Sequence, residues 1–267
     1  MKKCFAIVLA AIALFGFLEG CGFRPYSGRS DNISRSSTRE NTAAQSTEQT
    51  TQAFEQAEDA GKTDIKYEFT NTQERLYESL GETRWETLIE ITNIGTTPIY
   101  LGSSKYDLTD GGGNILRAGR SFSTFPDIIH ASEKGYFYDS TAVSVDEFGA
   151  EIKMVPRWDI RKSKKDRVNF DLSEIDIRDG QFGTTVYGMI ANNTGEEQSW
   201  AEISVVLYTE EGKPIGVWMT NVMEKMPNGS KFGFEISGIG NRTLYDKVTP
   251  DMVGSYVAFA YPPQWQF

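Results

Sequence analysis

The stretch Trp85-Glu86-Thr87-Leu88-Ile89-Glu90-Ile91-Thr92 decides the fold class. Trp85, Ile89 and Ile91 fall on one side of a period-two repeat and Glu86 and Glu90 on the other, with Leu88 the one apolar residue of the polar set. Side chains alternate across a strand, so the pattern reads as a half-buried β-strand. Asn93-Ile94-Gly95 then breaks it. Short strand patterns follow at Pro98–Leu101, Lys105–Leu108, Asn114–Leu116 and Gly135–Tyr138, with Gly111-Gly112-Gly113 as a turn.

The same grammar returns downstream. Val168–Leu172, Thr185–Ile190, Lys231–Ile236 and Tyr256–Tyr261 read as strands. Ala201 to Leu207 places Ala201, Ile203, Val205 and Leu207 inward, facing Phe232, Phe234 and Ile236, while Tyr208 points the other way. Glu210-Glu211-Gly212-Lys213 is a hairpin turn. Asn93-x-Gly95 aligns with Asn193-x-Gly195, and Asp110-Gly111 with Glu211-Gly212. A period of roughly 100 residues, filled with short strands and glycine turns, is the size of an immunoglobulin-like sandwich. The expected fold is all-β: two tandem immunoglobulin-like β-sandwich domains, 65–156 and 168–267, joined by a basic connector, 157–167.

The second half resembles the FxLYD family of bacterial surface lipoproteins. Its signature strand corresponds here to Val205-Val206-Leu207-Tyr208-Thr209 followed by Glu210-Glu211-Gly212. Leu207 and Tyr208 match; Val205 and Thr209 depart. Asn193-x-Gly195 and Pro227-Asn228-Gly229-Ser230-Lys231-Phe232 also follow that family's pattern. In the first half the nearest echo is Tyr106-Asp107-Leu108-Thr109-Asp110-Gly111. The resemblance implies a β-sandwich at the cell surface and carries no catalytic residues.

The N-terminus supplies an address. Lys2 and Lys3 precede an uncharged apolar run, Cys4 to Leu18, shorter than the ~20 residues of a spanning helix. Leu18-Glu19-Gly20-Cys21 resembles a bacterial lipobox, with Glu19 the departing position. Residues 1–20 are therefore expected to be a lipoprotein signal peptide, and Cys21 to carry lipid, palmitate among its acyl chains. Two or more chains anchor stably where one is marginal. From Cys21 to residue 64 the chain is rich in Ser, Thr, Asn, Gln and charge. It cannot bury enough apolar surface to fold and reads as a flexible tether. The expected location is the cell membrane, lipid-anchored, on the extracytoplasmic side.

Composition limits the chemistry. The 267 residues carry 27 Lys and Arg against 37 Asp and Glu, a net charge of −10, which argues against nucleic-acid binding. Two cysteines and one histidine exclude a disulfide scaffold and a histidine-ligated zinc site. His130 lacks a Gly-x-Ser-x-Gly partner motif. Asp107, Thr109, Asp110 and Asn114 crowd one turn; the reading is a turn, with calcium the alternative that their oxygens offer. No catalytic residue, metal or cofactor is expected. Arg157 to Arg167 holds six basic residues in eleven, read as a solvated connector or a contact for anionic polymer. Trp158 and Trp265 are the candidate ligand-facing aromatics. The expected function is a non-catalytic binding or structural module at the envelope, partnered by the bilayer and by wall polymer or another envelope protein. The alternative is an envelope hydrolase or carbohydrate-binding accessory protein on the same scaffold.

Overall fold

A computed structural model describes residues 65–79, 81–143, 151–181, 183–238 and 242–262. The signal peptide, Cys21, the tether and Trp265 lie outside the described residues. The described chain is all-β, and every strand pairing in it is antiparallel.

The first half contains β1 (Tyr67–Ser79), β2 (Glu82–Asn93), β3 (Ile99–Leu101), β4 (Lys105–Asp110), β5 (Ile115–Ser121), β6 (Ser123–Phe125), β7 (Ile128–Ile129), β8 (Lys134–Ala142), β9 (Ile152–Arg157) and β10 (Ile160–Lys162). They assemble as sheets β1-β2-β8-β6, β10-β3-β7 and β5-β4-β9. The second half contains β11 (Asp171–Gly180), β12 (Gly183–Ala191), β13 (Ala201–Tyr208), β14 (Pro214–Val222), β15 (Lys231–Ile236), β16 (Arg242–Thr243) and β17 (Ser255–Tyr261), with one 3-10 turn at Pro250–Met252. Its sheets are β11-β12-β15 and β16-β14-β13-β17.

Three apolar cores lie between these sheets. The first joins Trp85, Ile89 and Ile91 of β2 to Ile99, Leu101, Tyr106 and Leu108 of β3 and β4. Another joins β13 to β12 and β15: Ala201, Ile203, Val205 and Leu207 are fully buried, with Phe234 and Ile236 buried and Phe232 partly buried beside them. These inward faces are those that the alternation assigns, and each half has β-sandwich character. A third core fills the space between the halves. It takes Leu88, Phe125, Tyr136 and Tyr138 from the first and Val206, Tyr208, Val217, Phe259 and Tyr261 from the second. Strand β2 is thus buried on both faces along Trp85–Ile91, not half-buried as its alternation implies.

The segment read as a connector is partly built into the first half. Ile160–Lys162 pairs with Ile99–Leu101, and Arg167 is buried at the seam between the halves.

Both halves carry the same asparagine lock. Asn93 Nδ2 donates to the carbonyls of Thr97 (2.9 Å) and Ile129 (3.1 Å), and its Oδ1 accepts from the Gly95 N–H (3.0 Å). Asn192 Nδ2 donates to Glu196 (2.8 Å) and Met226 (2.6 Å), and its Oδ1 accepts from the Thr194 N–H (3.1 Å). The backbone repeats too: Ser132 N–H donates to Asn93 and Gly229 N–H to Asn192. The structural partner of Asn93 is therefore Asn192, one residue before the Asn193 that sequence alignment selects. Only Asn192 has its amide buried against the backbone to be satisfied. The lock equates β2 with β12 and β8 with β15. It also equates two left-handed positions, Ser132 at φ 66° and Gly229 at φ 82°.

Candidate functional site

A connected set of buried polar groups lies in the third core. Glu86 and Glu90 leave β2 on the face opposite Trp85, and both are buried, at 2% and 1% exposure. Burying a carboxylate is costly unless it is paired and hydrogen-bonded, and here both are. Glu90 accepts from the Tyr208 hydroxyl (2.5 Å) and the Thr70 hydroxyl (2.6 Å) and lies 3.0 Å from Lys134 Nζ. Tyr208 and Tyr136 join through their hydroxyls. Glu86 accepts from Tyr138 and from Arg75 Nε (2.7 Å).

Two arginines bridge the halves. Arg75 continues from Glu86 to the Thr243 carbonyl (2.7 Å) and Asp246 (3.1 Å). Arg167 reaches Glu133 (3.0 Å), Asn169 (2.6 Å) and the Ile128 carbonyl, with its guanidinium 5.6 Å from the Phe259 ring. Burial pushes the Tyr208 hydroxyl far above its usual range, and the charge of Glu90 adds to it. Burial does the same for Tyr136 and Tyr261. These hydroxyls stay protonated; Tyr208 donates to Glu90 and Tyr261 to Glu202, while Tyr136 meets the Tyr208 hydroxyl.

These bonds tie the two halves together. Glu86 and Glu90 stand four residues apart on one strand, so about 13 Å separates their backbones. The carboxyl pair of a glycosidase stands about 5–9.5 Å apart across an open cleft. Glu90 is bonded by Tyr208 of the second half, and Glu86 by Tyr138 and Arg75 of the first.

The other expected residues fall as follows. Trp158 lies beside the first core. It is half-buried and packs on Phe69 (4.6 Å between centroids), Phe122 (5.4 Å) and Phe137 (4.8 Å). It follows β9 at the point where the chain turns inward over the first core. His130 Nδ1 sits 3.2 Å from Glu133, which also holds Arg167. Asp110 accepts from the Asn114 side chain (2.7 Å) and backbone (2.8 Å), and these bonds hold its carboxyl below the usual range. Asp107 pairs with Arg157 and accepts from the Gly119 N–H (2.6 Å). The turn thus uses its own oxygens internally. Among the described residues no group of three or more His, Cys, Asp or Glu is placed to hold a metal ion.

A cavity of about 270 Å³ lies in the second half, lined by Thr184, Trp218, Thr243, Asp246 and Lys247 among others. Trp218 Nε1 donates to the Thr184 carbonyl (2.9 Å), so its one polar atom is already engaged.

Sequence reasoning assigned no role to Arg75, Tyr136, Tyr138 or Glu90. The available signal was Leu88: an apolar residue on the polar face of a strand calls for a second buried surface. In comparisons with known proteins, the chain matches no protein-family model and no curated protein sequence.

Proposed function

We propose that the protein is a non-catalytic binding or structural module, held at the extracytoplasmic face of the cell membrane through a lipidated Cys21. The leader and the Leu18-Glu19-Gly20-Cys21 box support the anchoring. One observation supports the non-catalytic reading above others: the clustered buried carboxylates are saturated by tyrosine, arginine and lysine in a seam that joins the halves. Such a seam makes a stiff body whose outer faces are left for partners. The repeated asparagine lock supports two tandem immunoglobulin-like units, the second similar to FxLYD domains. The wide spacing of Glu86 and Glu90 weighs against the hydrolase alternative.

The test is expression of the full chain in a bacterial host with a clickable palmitate analogue. Label should appear on the protein in the membrane fraction. Cys21→Ala should abolish the label and either release the chain to the medium or leave an uncleaved precursor. Unlabelled wild-type protein, or unchanged membrane association of the variant, refutes the anchoring.

A further inference from the structure

We infer that the outer face of the β3/β4 and β9/β10 strands binds a linear polyanion, a polymer carrying one phosphodiester-type charge per repeat. The inference rests on the reading of the chain as an envelope binding module and names the partner class for it.

Register fixes the face. Lys105 pairs with Arg157, Asp107 with Val155 and Thr109 with Lys153. Tyr100 pairs with Arg161 on the adjoining strands. Tyr106, Leu108, Ile99 and Leu101 occupy the core side, so the alternating set points outward. Lys153 and Arg157 stand four residues apart on β9, about 13 Å in extended chain, and Arg161 follows outward-facing on β10, in the neighbouring sheet. Lys105 stands directly across from Arg157. Two like charges in that position are ordinarily unfavourable. Exposed Lys164 and Lys165 follow β10, whereas Lys162 pairs with core-side Ile99 and lies on the opposite side of the strand from Arg161.

Carboxylates are present and do not cancel it. Asp107 pairs with Arg157, Glu151 stands 3.3 Å from Lys153, Asp159 stands 3.8 Å from Arg161, and Asp166 follows Lys165. No ion-pair partner within 4.0 Å is found among the described residues for Lys105, Lys164 or Lys165. Six cations, Lys105, Lys153, Arg157, Arg161, Lys164 and Lys165, against four carboxylates make a local surplus in a chain whose net charge is −10. A polyanion is repelled by the molecule as a whole and attracted here.

The face also offers apolar contact. Val155 is 48% exposed, and the Arg161 guanidinium lies 5.0 Å from the Tyr100 ring. Polyol or sugar repeats between charges would rest on these side chains. The row is narrow, with Asp107 and Glu151 beside it. A single polymer thread can follow the cations, whereas a flat anionic bilayer would meet the flanking carboxylates as well.

The experiment measures retention of the full chain, in mild detergent, on immobilised poly(glycerol phosphate) across a salt series. The test variant is Lys105→Ala/Lys164→Ala/Lys165→Ala, three exposed side chains. The control is Lys225→Ala/Lys231→Ala/Lys247→Ala in the second half, with the same change in net charge and equally exposed positions. Wild-type protein should bind with affinity falling steeply in salt. The test variant should lose on the order of tenfold or more, and its log–log salt slope should fall by about 2, at ~0.7 for each phosphate that is no longer neutralised. The control should change by less than about twofold. Absence of wild-type binding at low salt overturns the inference. So does an equal loss in the control, or capture of phosphatidylglycerol vesicles without capture of the polymer. A membrane-anchored chain that ignores the polymer refutes this inference alone, whereas a polymer-binding chain that lacks lipid refutes the anchoring alone.

Discussion

Replacing Tyr208 by Phe removes one oxygen from the centre of the seam and leaves the ring in place. Tyr208 is 3% exposed, and its hydroxyl donates to Glu90 at 2.5 Å while meeting the Tyr136 hydroxyl. The ring's contact with Lys134, at 5.1 Å, survives the change. Packing therefore stays nearly constant and the loss is polar. A hydrogen bond to a charged group contributes ~1.5–3 kcal/mol net, and the buried Tyr136 hydroxyl is deprived of its partner as well. Glu90 keeps Thr70 and Lys134, which limits the damage. The expected cost is about 2–3 kcal/mol, a large share of the ~5–15 kcal/mol that holds an ordinary domain. Urea denaturation of the soluble protein followed by tryptophan fluorescence measures it. A Glu90→Gln partner completes a double-mutant cycle, with a coupling of at least ~1 kcal/mol expected. A Tyr208→Phe loss within ~0.5 kcal/mol, or no coupling, would mean that water reaches Glu90 and that the seam does not bind the halves together.

Three further outcomes follow from the same geometry. Leu207→Ala opens a cavity in the second core and should cost ~2–5 kcal/mol, read by the same denaturation, whereas Thr209→Ala should change stability by no more than ~0.5 kcal/mol. Ser132→Gly should stabilise the protein by up to ~1 kcal/mol, because glycine accepts the left-handed φ of 66° that serine holds at a penalty; a lower melting temperature would count against the strain. The Asp107 carboxyl, held by Arg157 and the Gly119 N–H, should titrate at about 2 by carbon-detected NMR and return toward its ordinary value in Arg157→Ala. Because the folded pKa is depressed, its contribution to stability is present above the unfolded value of 3.8 and is lost as pH falls through about 2.

Local alternation made the strands at Trp85–Ile91 and Ala201–Leu207 legible, and with them the inward faces of two cores. It did not reveal β1. Tyr67, Phe69 and Leu76 all pack on the first core, but a register shift between Phe69 and Asn71 reverses the phase, so no single period spans the strand. The seam was illegible for a different reason. Tyr208 and Glu90 are 118 residues apart, and nothing near either residue states that the other will cover it. Glutamates alternating with Ile and Leu look like a solvated face until a second sheet is laid over them. The packing of Trp158 is equally non-local: its three aromatic neighbours come from β1, β8 and the residue after β5.

The asparagine lock has a consequence for the molecule as an object in space. It makes β1-β2-β8 the counterpart of β11-β12-β15, yet the seam covers the outer face of the first with the outer face of β13, β14 and β17. Two like units therefore meet through unlike faces, as stacked cups do, and not as mirror-image palms do. Stacking of that kind has a direction. One end of the body presents β11-β12-β15 and the other presents β4 and β9, so each copy offers its surroundings two chemically different ends that cannot be interchanged by turning it around.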